Sequence, residues 1–304
     1  MRVFVTGGTG FVGREVVIRL RADGHDVHLL VRDPGAPRAR ALADRCSAAL
    51  HKGDAISGSG LEEGMVGTDA VVHLVGIISE VGEATFENVH VRATERVLHA
   101  AQTARVKRYI HMSALGTRAD AVSRYHRTKW IAEERVRESG LEWTIHRPSL
   151  IYGPGDQFVN LFARLSRWSP VVPVIGAGES KLQPVSVGDV ATCFARALSE
   201  PRAIGRVFDV CGGDVVSLNQ VLNTILSVTR RRRFLVHLPL PLARLQASLL
   251  EWVYPRLLRR ASPLNRDQIL MLQEDNVGNP DPARELFGLS RASFKAGIEA
   301  WLGR

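Results

Sequence analysis

The tightest constraint on this chain is local. Thr6-Gly7-Gly8-Thr9-Gly10-Phe11-Val12-Gly13 follows the apolar run Val3 to Val5 without a break and opens a helical pattern at Val12. Between a strand and a helix, glycines at this spacing have separate mechanical tasks. Gly7 permits the tight turn, Gly10 lets the backbone approach a pyrophosphate, and Gly13 lets the helix sit close on the strand. The free N–H groups of Thr9, Phe11 and Val12 then face a phosphate with partial positive charge. A nucleoside triphosphate loop is excluded, because no Gly-Lys-Ser/Thr follows.

The rhythm set by this motif continues. Val3 to Val5, Val27 to Val31, Ala70 to Val75, Tyr109 to Met112 and Trp143 to Ile145 read as short buried strands. Helical patterns fit between them at Val12 to Ala22, Glu87 to Thr103 and Tyr125 to Ser139, the last closing on Gly140. Alternating elements of this kind predict an α/β fold, a Rossmann-type doubly wound parallel sheet, with a smaller, mostly helical C-terminal lobe. The dinucleotide-binding domain is expected over residues 1–152 and the lobe over 153–304, with 184–211 returning to the sheet as one more helix and the strand Val207 to Val210. At 304 residues and 45% hydrophobic content the chain can bury its own core. Cys46, Cys193 and Cys211 are odd in number, form no close pair and read as small buried hydrophobes, which points to a reducing compartment and no metal site.

The end of the second strand selects between nicotinamide cofactors, since an acid there binds ribose hydroxyls and repels a 2′-phosphate. Arg32 occupies that position. Its guanidinium can pair with a phosphate through two parallel hydrogen bonds, so NADP(H) is favoured over NAD(H), with Arg14 as a second contact and Asp33 as the opposing feature. Asp54 either accepts from the adenine amino group or caps the turn that follows it.

Tyr125 and Lys129 lie four apart in a predicted helix and share one face, and Ser113 ends a strand twelve residues before Tyr125. In a catalytic reading, Lys129 stabilises a tyrosinate at Tyr125, which exchanges a proton with a substrate oxygen held by Ser113. Asn88 is either a water-binding relay or a helix N-cap. His111, His126 and Arg127 read as packed or solvated, and Asp189 as a helix-start residue without chemistry.

Thr6 to Gly13, Ser113, Tyr125 with Lys129, and Arg147-Pro148-Ser149 before Tyr152-Gly153-Pro154-Gly155-Asp156 resemble the extended and atypical short-chain dehydrogenase/reductases. More narrowly, His73-Leu74-Val75-Gly76, the Tyr125 helix, Trp143-Thr144-Ile145 and Gln268 to Val277 resemble the group related to the 39 kDa accessory subunit of respiratory complex I. This resemblance implies a Rossmann domain binding NADP(H), with Gly76 and Ser149 near the nicotinamide and a small lobe over the substrate pocket. The family also catalyses epimerisation and dehydration, and the group includes members whose nucleotide is structural.

The formal charge of +9, from 40 basic and 31 acidic residues, invites anionic partners. The arginines are dispersed and do not alternate with aromatics, which argues against nucleic acid. No charged-then-apolar leader is visible and no apolar run reaches the roughly 18 residues of a membrane span, so the expected location is cytoplasmic, with a peripheral membrane contact open. That contact is the basic, Leu-rich segment 234–260. Its apolar face either covers the core and the substrate cleft, the favoured reading given Pro239, Pro241 and Pro255, or lies on an anionic bilayer. Arg230 to Arg233 reads as a solvated loop. Three function classes remain: a reductase or related enzyme on an apolar, quinone- or isoprenoid-like substrate; a nucleotide-binding accessory or assembly factor with a protein partner; and an NADPH sensor.

Overall fold

Seven apolar runs become parallel neighbours in one sheet: β1 (Arg2–Thr6), β2 (Asp26–Val31), β3 (Ala49–Lys52), β4 (Ala70–His73), β5 (Arg108–Met112), β6 (Glu142–Pro148) and β7 (Arg206–Val210), in the order 3-2-1-4-5-6-7. The computed structural model describes residues 1–258 and 260–303. Val3, Phe4 and Val5 are all fully buried, as a parallel strand covered on both faces requires. Alternate residues feed two cores. Val3, Val5, Leu29, Val72 and Ile110 pack under α1 (Phe11–Ala22) and α2 (Pro37–Cys46), while Phe4, Leu30, Val71, Tyr109 and Ile145 pack on the other side. That second face is covered by α3 (Leu61–Gly64), α4 (Ala93–Thr103) and α5 (Arg124–Arg137). Cys46, Cys193 and Cys211 are buried and unpaired.

After β6 the chain leaves the sheet through α6 (Val159–Trp168), returns to it through α7 (Val187–Ala197) and β7, and leaves again through α8 (Leu218–Val228) and α9 (Leu240–Val253). Three short helices finish the chain: α10 (Arg266–Met271), α11 (Asp281–Phe287) and α12 (Phe294–Leu302). α6, α8 and α12 surround a separate core that includes Val159, Leu222, Ile225 and Ile298. Ala283 and Phe287 of α11 instead join α7 and Phe208 of β7 on the sheet. The lobe also contains a two-stranded parallel ribbon, Val171–Ile175 with Phe234–Leu238, that periodicity did not reveal. Both strands carry apolar side chains on their exposed as well as their buried face, so no alternation marks them, and Pro173 reads against a strand.

Three expectations are corrected. The helix expected from Glu87 to Thr103 begins as a π-helical stretch, Glu87–Arg92, before α4 takes over. In α9, only Ala243 and Ala247 are buried, whereas Leu242, Leu245, Leu249 and Trp252 point outward, so the leucine face does not cover the core. Pro239 and Pro241 stand at the start of this helix, where proline is tolerated, and do not interrupt it. The Arg230 to Arg233 turn is also less solvated than expected. Arg231 donates to Ser166 Oγ (3.0 Å) and Arg233 to the Ser166 carbonyl (2.8 Å), tying the turn to α6.

Candidate functional site

Because the strands of the sheet run the same way, the residues that follow them gather along one edge, and β1 and β4 flank the crevice where the strand order reverses. Gly7, Arg32, Asp54, Gly76, Ser113 and Ser149 follow β1, β2, β3, β4, β5 and β6 in turn. Gly7 has φ +76°, which an L side chain rarely adopts, and a Cβ there would press on the Leu74 carbonyl carbon at 3.0 Å. At Gly13 a Cβ would lie 2.2 Å from the Gly7 oxygen and 2.7 Å from Gly8 Cα, so only glycine lets α1 seat against the loop. Gly10 is exposed and would meet only the Gly7 oxygen, at 3.2 Å, leaving open space in front of it. No side chain caps α1, whereas Ser123, Ser186 and Ser217 cap α5, α7 and α8. The start of α1 around Phe11 and Val12 therefore keeps its donors available to an outside acceptor. Val12's side chain is core, Phe11 and Thr9 are half-buried, and Thr9 sits in the loop itself.

Arg32 is exposed and makes no ion pair among the described residues. Asp33, its acidic neighbour, accepts from the Gly35 N–H at 2.8 Å through one oxygen and stays exposed. Arg14 is exposed one turn into α1, with its guanidinium beside Gly155. Asp54 accepts from the Ile56 N–H at 2.7 Å through one oxygen and so does close a turn. That leaves its second oxygen uncommitted among the described residues.

Ser113 is held by its own N–H, which donates to the His146 carbonyl at 2.8 Å, and its hydroxyl donates to Thr117 Oγ1 at 3.3 Å. α5 begins at a Ser123 cap and carries Tyr125 and Lys129 on one side. Lys129 is almost fully buried, donates to the Met112 carbonyl at 2.9 Å, and lies where a Cβ on Gly76 would meet its Nζ at 3.2 Å. Burial lowers its pKa to about 8, with the Glu133 carboxylate pulling the other way. Tyr125 packs edge-on against Phe86, His90 and His126, and burial pushes its hydroxyl up to about 12. Ser149 is turned toward the C-terminal segment, donating to Asn276 Oδ1 at 2.5 Å. Ser113, Lys129 and Gly76 thus meet at the ends of β4 and β5 beside Tyr125, while Ser149 is tied to Asn276 one strand away.

Sequence reasoning missed three participants. His90 reaches the rim of the site, hydrogen-bonding Thr128 Oγ1 at 2.9 Å and Ile77 O at 3.1 Å, with burial and the Lys129 charge holding its pKa well down. Glu133 is fully buried and grips Arg147 through two contacts, 2.8 and 2.6 Å, and Arg137 through a third at 2.7 Å. The spacing Tyr125, Lys129, Glu133 on one helical face was a usable signal for it. Asn276 also donates to the Leu115 carbonyl at 3.1 Å, and no local pattern announced it. Asn88 does not cap a helix, and its amide donates to the Glu83 carbonyl at 2.8 Å and ties down the preceding loop. His111 is buried in a stack with His73 and Tyr109, His126 bonds Ser123 Oγ at 3.0 Å, and Arg127 is exposed. At α7 the cap is Ser186, whose hydroxyl donates to Asp189 at 2.8 Å.

A model described as the NAD dependent epimerase/dehydratase family matches residues 3–211. The Arabidopsis thaliana protein NADH dehydrogenase (ubiquinone) 1 alpha subcomplex subunit 9, mitochondrial, is 29% identical over 281 residues, 91% of this chain and 69% of that protein. Across the plant, rodent and slime-mould subunits of this name, the chain spans 63% to 69% of their length. The 4-hydroxy-2-methyl-3-oxo-4-farnesyl-3,4-dihydroquinoline-1-oxide ketoreductase of Stigmatella aurantiaca is 28% identical over 99% of this chain and 95% of its own length. Among solved structures, the UDP-glucose 4-epimerase of Thermotoga maritima superposes with a TM-score of 0.78 at 20% identity, covering 99% of this chain and 97% of that one, a likeness of fold. With the match running through the glycine loop, the whole seven-stranded sheet and the Tyr125 helix, the chain belongs to the NAD dependent epimerase/dehydratase family, the extended short-chain dehydrogenase/reductases.

Proposed function

We propose that this protein is an NADP(H)-dependent oxidoreductase that interconverts a carbonyl and an alcohol on an apolar substrate. The observation that carries this reading is Lys129, an ammonium buried at the end of β5 with a single hydrogen bond to a backbone carbonyl. Such burial is unfavourable for the fold, and structure alone gives little return for it. Beside Tyr125 it has a chemical use, because a fixed cation next to a phenol stabilises the phenolate. The glycine loop and the uncapped α1 fit a pyrophosphate, and the free guanidinium of Arg32 fits a 2′-phosphate, with the Asp33 carboxylate beside it as the opposing charge.

When bound, the nicotinamide supplies or accepts the hydride. Gly76 leaves room beside Lys129, since a Cβ there would lie 3.2 Å from its Nζ and press on the ammonium. In the reducing direction Tyr125 donates its proton to the substrate oxygen and Lys129 holds the resulting phenolate. Ser113 donates a hydrogen bond to the same oxygen, for which its hydroxyl must turn from the weak 3.3 Å contact with Thr117. Support for an apolar substrate comes from the Stigmatella aurantiaca relative, whose name gives it a farnesyl-bearing ketone.

The test is titration of nucleotide-stripped protein with NADPH and NADH, followed by turnover of hydrophobic ketones by wild type and Tyr125→Phe. Tighter NADPH binding is expected, and Tyr125→Phe should bind nucleotide unchanged while turnover falls by about 10²–10⁴-fold. Undiminished turnover in that variant removes the reading. A nucleotide-binding accessory role draws on the respiratory-complex relatives. Unchanged cellular function in Tyr125→Phe, with stable co-purification of a membrane complex, would favour it instead.

A further inference from the structure

α9 presents opposite faces of different character. Ala243 and Ala247 are buried against Ile175, Leu240, Leu264 and Ile269, which lets the helix lie close on the lobe. Leu242, Leu245, Leu249 and Trp252 recur at helical spacing on the outside, Leu245 being 69% and Trp252 55% exposed. The strand that feeds this helix continues the same character. Phe234 pairs with Val171 and Val236 with Pro173 in the parallel ribbon, and these four side chains are exposed on one face, Phe234 by 77%. Trp168, three residues before the ribbon, is 80% exposed. An apolar surface of this extent is not left to water without a use.

The charge around it is one-sided. Between residues 230 and 260 the chain has eight arginines and a single acid, Glu251. Glu251 is already paired with Arg266 at 2.7 Å. Arg244 and Arg260 are exposed, Arg256 sits over the Trp252 ring at 5.2 Å, and Arg167 sits over Trp168 at 5.4 Å. Tryptophans flanked by arginine beside a leucine stripe match the boundary between acyl chains and anionic headgroups. Among the described residues no helix is long and apolar enough to cross a membrane, so contact through this surface is interfacial.

We propose that the outer face of α9, with the adjoining ribbon, docks the protein on an anionic lipid bilayer. The leucines and tryptophans enter the headgroup boundary and the arginines pair with lipid phosphates. The segment after α9 also reaches the mouth of the candidate site. Asn265 donates to the Ile78 carbonyl at 2.8 Å and Ser79 to the Ser262 carbonyl at 3.2 Å, just beyond Gly76. Access of a bilayer-dissolved substrate from this side rests on the oxidoreductase reading, whereas the docking does not.

The experiment is flotation of the full chain, without nucleotide, on vesicles of phosphatidylcholine alone and of phosphatidylcholine mixed equally with phosphatidylglycerol. Wild type should float with the mixed vesicles, remain behind with the neutral ones, and be released by high salt. The triple variant Leu245→Glu, Leu249→Glu, Trp252→Glu, at exposed positions, should melt like wild type and lose at least about tenfold in partitioning. Arg244→Gln with Arg256→Gln and Arg260→Gln keeps the apolar stripe and should lose the preference for anionic vesicles. Failure of wild type to float on the mixed vesicles overturns the proposal, as does flotation of the triple variant equal to wild type. A wild-type dimer that the triple variant dissolves, with neither protein floating, would make this face a contact between copies and also overturn it.

Discussion

Replacing Lys129 by Met keeps the aliphatic stem and removes the ammonium. The Lys129 pKa falls from 10.5 to about 8, chiefly through burial. Between those pH values the unfolded chain holds a proton that the folded chain has released, so stability rises with pH across the window and the burden is complete below pH 8. At about 1.4 kcal/mol per pKa unit, the window is worth about 3 kcal/mol. The variant also loses the 2.9 Å bond to the Met112 carbonyl, an effect of about 1–3 kcal/mol that opposes the relief. Wild type and Lys129→Met should therefore lie within about 2 kcal/mol of each other at pH 7 and separate in favour of wild type toward pH 10.5. Tyr109, Tyr152 and Cys193, whose pKa values burial raises, weaken both proteins alike in alkali and cancel in the difference, whereas Tyr125 loses the cation beside its phenolate in the variant and adds to the separation in favour of wild type. Urea melts at several values from pH 7 to 10 measure it, provided the denaturant slope is unchanged. Parallel stability curves would show that Lys129 is not desolvated, and the case for its chemical purpose would fail.

Arg32→Glu should raise the NADPH dissociation constant at least tenfold, about 1.4 kcal/mol, and tighten NADH binding, because the new carboxylate accepts from the ribose hydroxyls, as calorimetry would read directly. Gly13→Ala must move α1 off the Gly7 oxygen, so a loss of about 1–3 kcal/mol in stability and of dinucleotide binding is expected in thermal melts with and without nucleotide. Glu133→Ala strands Arg147 without its buried carboxylate and should cost about 3–5 kcal/mol by urea denaturation. In a folded remnant it should also depress the Lys129 pKa further, because Glu133 is the group holding it up.

Contiguous features were readable without coordinates. The Gly7 to Gly13 loop, the apolar strand cores and the pairing of Tyr125 with Lys129 each depend on neighbours within about one or two helical turns, where local geometry is set by backbone sterics and period. The depth of Lys129 was not readable, because it depends on β4 and β5 lying side by side and on Gly76 standing opposite. Ser149 and Asn276 are 127 positions apart, and their contact comes from the C-terminal segment crossing back to the sheet. His90 enters the site through a π-helical stretch that shifts the helical phase before α4.

α9 separates the two kinds of information most clearly. Its sequence contains a small-residue stripe, Ala243 and Ala247, and a leucine stripe, Leu242, Leu245 and Leu249, and the helical period identifies both without ranking them. Hydrophobicity alone favoured burying the leucines. The tertiary structure buried the alanines, because they allow the close approach of α9 to Ile175 and Ile269, and it turned the larger side chains outward. Local sequence thus determined which elements form and which residues share a face. The choice of the buried face was decided only when distant surfaces met, since that energy depends on shape complementarity between segments and not on the composition of either one.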